Sequence, residues 1–291
     1  MPAERSGPGD TVVRVDGQLS LEGMPRRLFK VTPSRLSTWL DCPRRYRMTY
    51  LDRPALPRGG AWAHSTLGAV VHNALRALFV LPVEERTPAA GARLVNQHWV
   101  SEGFRDDAQV ERYRERARGW VADYVADLDV TEDPVGLERW VSTPTGRIVA
   151  EGRVDRIDER GGQLVVVDYK TGRHALTVDD ARASQALALY ALAARRTLRR
   201  PCWRVELHHL PSGEVAAWEH TEPSLQRHLT RMEEAADDAA LATDTLAAGG
   251  DAELLFPPRP SARCSYCDFR RHCAAGQEAG PEMEPWALLV P

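Results

Sequence analysis

The chain is expected to fold as an α/β (α+β) domain, a central mixed sheet flanked by helices and carrying a helical insert. Three patterns predict it. Helix-periodic segments lie between residues 32 and 80, strand-like runs lie between residues 147 and 170, and helix and strand patterns alternate onward to residue 248. At 291 residues the chain can bury a full core. An apolar fraction of 43% with 27% charged residues is that of an ordinary soluble globular protein, which argues against a disordered or fibrous class. No apolar run approaches the length of a bilayer span. The opening MPAERSGPGD lacks the apolar stretch of a signal peptide, so a cytoplasmic location is expected. A net charge of −3 leaves no global basic footprint, so any nucleic-acid contact must come from local patches.

Residues 1–28 are rich in Gly, Pro and charge, and read as a flexible leader with at most one short strand. A helix starts at Thr32-Pro33-Ser34, with Ser34 as the N-cap and Leu36, Trp39 and Leu40 on its buried face. After a Pro/Gly-rich break at 51–60, Thr66 to Val80 carries Leu67, Val70, Val71, Ala74, Leu78 and Phe79 at helical spacing. Residues 84–130 are charged and helical in pattern. Arg147 to Asp158 alternates as a strand, Glu159 to Gly162 turns, and Gln163 to Lys170 returns as a second strand. Its apolar run Leu164-Val165-Val166-Val167 lacks alternation, as in a strand covered on both faces. Asp180 to Leu198 reads as one helix and Trp203 to Leu210 as a strand. Ser212-Gly213 turns into Glu214–Glu219, and Ser224 to Ala248 is a long helix.

Asp168 and Lys170 are two apart on a strand, so both point to one face. If Asp158 lies opposite Gln163, Asp155 faces Val166 and becomes the diagonal neighbour of Asp168 on that face, about 7–8 Å away at Cα. Two carboxylates so placed can share a divalent cation. One or two Mg²⁺ or Mn²⁺ ions on hard oxygens would activate water and neutralise phosphate charge. Lys170 would hold the attacking water or stabilise transition-state charge. Lys170 is also one of only two lysines, with Lys30, among 38 basic residues. A lysine kept where almost every positive charge is Arg suggests a role that a planar, permanently charged fork cannot fill.

Five cysteines in a chain expected in the cytoplasm argue against a disulfide framework. Cys264, Cys267 and Cys273 form a C-x2-C-x5-C cluster. A fourth ligand could be Cys42 or Cys202, with His272 adjacent as a weaker choice. Zinc is the simplest occupant of four cysteines, although structural zinc sites usually come as two close pairs. Arg44, Arg45 and Arg47 interleave with Tyr46 and Tyr50, and Arg270 and Arg271 flank the late cysteines. If the cluster joins these segments, they form one basic surface on which rings can stack against bases.

The set Gly152 to Asp158, Asp168-Tyr169-Lys170-Thr171-Gly172, Gln185 and Tyr190 resembles the RecB-type exonuclease branch of the PD-(D/E)xK nuclease superfamily, over roughly Pro33 to Cys273. The resemblance implies a restriction-endonuclease-like core in which Asp155 and Asp168 are metal ligands and Lys170 is catalytic. It further implies that Gln185 lines the site, that Tyr190 packs there or touches DNA, and that His72 on the preceding helix is a metal ligand. His64, His208 and His209 have no such support. One distant Cys with three late ones resembles the iron-staple subset, in which a [4Fe–4S] cluster ties the chain ends together. That selects Cys42 and leaves Cys202 a buried small hydrophobe.

The expected organisation is a leader (1–28), one nuclease domain (29–276) with a helical insert at about 81–135, and a C-terminal tail (277–291). The expected activity is metal-dependent exonuclease action on single-stranded DNA or DNA ends in repair or recombination. Alternatives are a CRISPR-adaptation-type iron–sulfur exonuclease and a catalytically silent DNA-binding subunit of a helicase–nuclease complex. No G-x-x-x-x-G-K-[ST] occurs, so a motor would have to be a separate helicase partner. A monomer is expected.

Overall fold

The computed structural model describes residues 13–15, 18–20 and 28–289. The leader expected at 1–28 lies outside the described residues, apart from Leu28 and an antiparallel pair, β1 (Val13–Val15) with β2 (Gln18–Ser20).

The main sheet is mixed, as expected. It contains β3 (Phe29–Val31), β4 (Gly136–Pro144), β5 (Ile148–Arg160), β6 (Gln163–Lys170), β7 (Cys202–His209) and β8 (Glu214–Glu219). β3 runs parallel to β5 and β6 parallel to β7, while the other pairs are antiparallel. Helices on the N-terminal side are α1 (Pro33–Asp41), α2 (Pro43–Tyr50), α3 (Ala63–Val80), α4 (Pro88–Gln97) and α5 (Asp107–Asp127). Those that follow the central strands are α6 (Val178–Ala183), α7 (Gln185–Leu198), α8 (Glu222–Ala247), α9 (Ala252–Leu255) and α10 (Ala274–Glu278).

The unalternating apolar run of β6 is covered on both faces. Leu164 and Val166 join the core built with α1, α7 and α8, whereas Val165, Val167 and Tyr169 join a second core with α3, α4 and α5. Residues 81–135, expected as an insert, hold α4 and α5. Their Leu94, Val95, Ala117 and Val121 pack into that second core and so help cover one face of the sheet. Among the described residues no helix is long and apolar enough to cross a membrane.

Several expectations change. The cap of α1 is Thr32, whose hydroxyl accepts from the Arg35 N–H, because Pro33 already occupies the first helical turn. Leu40 is exposed rather than buried. The helix expected over 180–198 is two helices. Ser184 adopts an extended backbone and its hydroxyl caps α7 at the Leu187 N–H, while a Thr177–Asp180 capping box starts α6. Strand β4 was not anticipated. Of the segment expected as a tail, the described residues 277–289 reach the α3–α5 core through Leu289, and Ala63 N–H donates to Pro285 O at 3.1 Å.

Candidate active site

β5 has two edges, and its pairing explains where the site forms. Val149 and Ala150 pair with Pro144 and Thr143 of β4 and also with Lys30 and Val31 of β3. Arg156 and Ile157 pair with Gly136 and Leu137 of β4 and also with Val166 and Val167 of β6. A strand residue has one neighbour on each side, so β3 and β6 share the edge opposite β4, one at each end. Between them, from Glu151 to Asp155, that edge forks.

The β5–β6 turn is tighter than expected. Gly161 and Gly162, with φ of 58° and 78°, make a two-residue connection that sets Arg160 opposite Gln163. Continuing that register one step past Arg156–Val167 places Asp155 directly across from Asp168, not diagonal to it. The shift is even, so the two stay phased together. At the fork the ladder is replaced by a side-chain bond, in which Tyr169 N–H donates to Asp155 Oδ2 at 3.0 Å.

Alternation in β5 also breaks here, because Val154 and Ile157, three residues apart, both pack into the α1–α7–α8 core. The break is matched on β4. Glu138, opposite Asp155 when the register is continued, holds a left-handed backbone with φ 46°. Such a conformation in a non-glycine residue costs about 1–3 kcal/mol and persists only when its surroundings impose it. With both strands kinked together, Glu138 and Asp155 offer carboxylate oxygens within 4.8 Å of each other and of a ring nitrogen of His72 on α3. Glu138 is the site residue that the sequence reading missed.

His72 Nε2 lies 3.1 Å from Tyr169 O, so the N–H is donated there and Nδ1 faces Asp155 Oδ2 at 3.4 Å. Two acceptors turned toward each other need a proton or a cation between them, and the structure accordingly suits a metal ion. Burial disfavours the charged imidazole, but the Asp155 bond and the charges of Asp155 and Asp168 raise the His72 pKa above its ordinary value. Burial likewise opposes ionisation of Asp155. The His72 contact, the Tyr169 N–H and Lys170 outweigh it and hold that carboxyl below the usual range. Asp168 is partly buried, and its pKa is raised by desolvation and by the Asp155 charge, with Lys170 in direct ionic contact opposing. Burial and the Asp155 charge also raise Glu138, against the pull of Arg153. An imidazole with two carboxylates is a donor set that can hold a divalent metal ion.

Tyr190 reaches this cluster from α7. A Cβ on Gly152 would lie 2.6 Å from Tyr190 Cε1, so the glycine is what lets the ring lie across β5. Burial and the charges of Asp168 and Asp155 keep its phenol protonated. Gln185, expected to line the site, stands at the start of the same helix. Five residues turn an α-helix about 140° past a full turn. Gln185 therefore points away from Tyr190, and it lines a cavity with Pro33, Ser37, Leu40, Asp41 and Met232.

Cys42, Cys264, Cys267 and Cys273 are free thiols lining one cavity where the start of α2 meets the C-terminal segment. Arg259 N–H points to Cys42 Sγ at 3.5 Å and Ser261 N–H to Cys264 Sγ at 3.4 Å. Cys202 is fully buried on β7, where burial pushes its thiol up to about 12. His272 turns away to Pro57 O. His208 is internal, bonded to Glu206 Oε2 and the Tyr124 hydroxyl.

The expected basic surface needs correction. Tyr46 is 1% exposed, bonded to Arg35 and packed edge-on to Trp39, so it cannot stack on a base. Arg44 is paired with Glu253, which also takes Arg47 at 3.2 Å. Arg270 donates to the carbonyls of Cys264, Gly276, Gln277 and Gly280, holding the C-terminal loops together. Arg271 is 80% exposed and only loosely paired with Glu282 at 4.0 Å, and Arg45 lines the cysteine cavity.

No curated protein matches the sequence. Among solved structures, a candidate exonuclease from Eubacterium rectale superposes with a TM-score of 0.50 at 12% identity, covering 84% of this chain and 87% of its own. The protein SSO0001 matches with a TM-score of 0.40 at 14% identity, over 87% and 89%. The family model of the PD-(D/E)XK nuclease superfamily matches residues 30–274, a span that includes most of β3, the forked strands and all four clustered cysteines, and the chain belongs to that superfamily.

Proposed function

We propose that the chain is a divalent-cation-dependent DNA nuclease, acting as an exonuclease on single strands or DNA ends. The observation that carries this reading is the meeting of His72, Glu138 and Asp155 at the fork, with Asp168 and Lys170 on the facing strand. His72, Asp155 and Asp168 would hold Mg²⁺ or Mn²⁺. Bound there, the ion supplies a water of lowered pKa and a Lewis acid for a phosphate oxygen. Asp155 is kept anionic by His72 and the Tyr169 N–H, ready to bind a cation. Lys170, half exposed, offers three donors as a compact charge to the scissile phosphate or to the attacking water. A place in DNA repair or recombination follows the RecB-type resemblance. The test is digestion of end-labelled single-stranded and duplex DNA with Mn²⁺ or with EDTA. Cleavage that EDTA does not stop would refute the metal requirement.

We further propose that Cys42, Cys264, Cys267 and Cys273 hold a [4Fe–4S] cluster. Among the described residues no three of these sulfurs lie within 4.8 Å of one another. A tetrahedral zinc with bonds of about 2.3 Å would draw them to roughly 3.8 Å. The wider ring around one cavity favours a larger occupant, and Arg45 and Arg259, which pair with no carboxylate among the described residues, line it with positive charge that favours thiolates. Anaerobically purified protein is expected to be brown, absorbing near ~400 nm and carrying iron and sulfide. Colourless protein that retains zinc would refute the cluster and leave the nuclease reading intact.

A further inference from the structure

The cleft face of β4 beside the fork carries an aromatic residue for which the core has no use. Trp140 is 61% exposed, two residues beyond Glu138 and about 7 Å along the strand. An exposed tryptophan this close to a catalytic cluster is unusual, since large rings are normally covered. Its cross-strand partner is Arg153, whose side chain is 62% exposed and whose Nε lies 2.8 Å from Glu138 Oε2. Cross-strand partners share a face, so indole and guanidinium stand side by side. Arg76 follows His72 by one turn of α3, is exposed, and is near enough for its charge to act on Glu138. One ring and two cations therefore border the cluster on a single side.

We propose that Trp140, flanked by Arg153 and Arg76, is the platform on which a base of a single DNA strand stacks while its neighbouring phosphate sits at the fork. This rests on the nuclease reading and specifies the substrate for it. A duplex keeps its bases stacked inside and cannot present one to the indole, whereas a single strand or a frayed end can. Arg76 supplies complementary charge for the backbone beside the stacked base, and Arg153, though paired with Glu138, keeps most of its side chain exposed to add a hydrogen bond there.

Binding is measured by fluorescence anisotropy in EDTA, with labelled oligothymidylate and a blunt hairpin duplex as separate probes. Trp140→Leu is expected to weaken oligothymidylate binding about 5- to 150-fold, the range for loss of one stacked base. Trp140→Phe should keep most of the affinity, and duplex binding should not change. Arg76→Gln is expected to lower the slope of log K against log salt by about one contact. An oligothymidylate carrying 5-iodouracil should photocrosslink to Trp140 in the wild-type protein, a readout that needs no variant. Unchanged oligothymidylate binding by Trp140→Leu, an equal loss on the duplex, or crosslinks that all map elsewhere would each overturn the platform. Because the readout is binding without metal, its failure is distinct from failure of the nuclease assignment, which is judged by cleavage alone.

Discussion

Asp168→Ala and Lys170→Ala are each expected to lower single-strand cleavage in Mn²⁺ by about a thousandfold, roughly 4 kcal/mol of transition-state stabilisation. Neither change should cost much folding stability. Asp168 is a partly exposed acid whose pKa is already raised, and Lys170 is half exposed, so alanine removes one partner of a contact that water can partly replace. The two variants should separate by binding. Asp168→Ala weakens Mn²⁺ affinity in calorimetric titration, whereas Lys170→Ala leaves it near wild type and loses the chemical step. The pH profile adds a check. A proton on His72 competes with the cation for Nδ1, and the His72 pKa lies above its ordinary 6.5. Cleavage at fixed Mn²⁺ should therefore fall as pH drops through that raised value, and added Mn²⁺ should shift the fall to lower pH. Wild-type rates from either alanine variant would refute the catalytic assignment.

The second large effect is on stability. Arg156 lies at 1% exposure, between Tyr124 and Tyr169 hydroxyls at 3.1 Å and Asp158 at 2.9 Å, with its guanidinium over the Phe79 ring. Burial disfavours its charge, but these partners more than compensate and raise its pKa. Replacing one partner of a buried pair leaves the rest uncompensated, at a cost of about 3–5 kcal/mol. Arg156→Met is expected near the lower end, because Asp158 keeps Arg160 at 2.8 Å. The double variant Arg156→Met, Asp158→Asn should recover part of the loss. Urea unfolding decides it, and a single variant as stable as wild type would show that the network contributes nothing. Tyr169 sits between Asp168 and Lys170, so this buried cation also underpins the strand that presents them.

Much of the site was legible because its residues sit on the most readable strand. The run from Leu164 to Val167 declares a doubly covered strand, and Asp168 and Lys170 follow at fixed phase. The turn was misplaced by two residues, since a Gly-Gly pair does not by itself say which neighbours close it, yet an even error kept the face right. Glu138 was hidden for a different reason. Its strand, from Gly136 to Pro144, is an edge strand with exposed Trp140 and broken alternation, and no side-chain pattern signals a left-handed glutamate. The arginines at 44 and 47 looked available only because Glu253, their neutralising partner, lies more than 200 residues away. Tyr46 looked like a stacking ring because a short basic helix does not show which of its faces is buried.

Asp155 stands in for a missing strand partner by accepting the Tyr169 N–H where β5 and β6 part. The residue is thus a structural wedge as well as a prospective ligand, and the two duties can be pulled apart. Asp155→Asn keeps an acceptor for that amide and should fold normally while binding Mn²⁺ poorly. Asp155→Ala strands a backbone donor and should lose a further 1–3 kcal/mol in urea unfolding, with equal stabilities counting against the wedge. For descendants that abandon catalysis, selection on folding alone would preserve an acceptor at this position. An aspartate surviving here is therefore poor testimony of activity, and the state of Lys170, whose side chain fills no gap in the strand ladder, is the better witness.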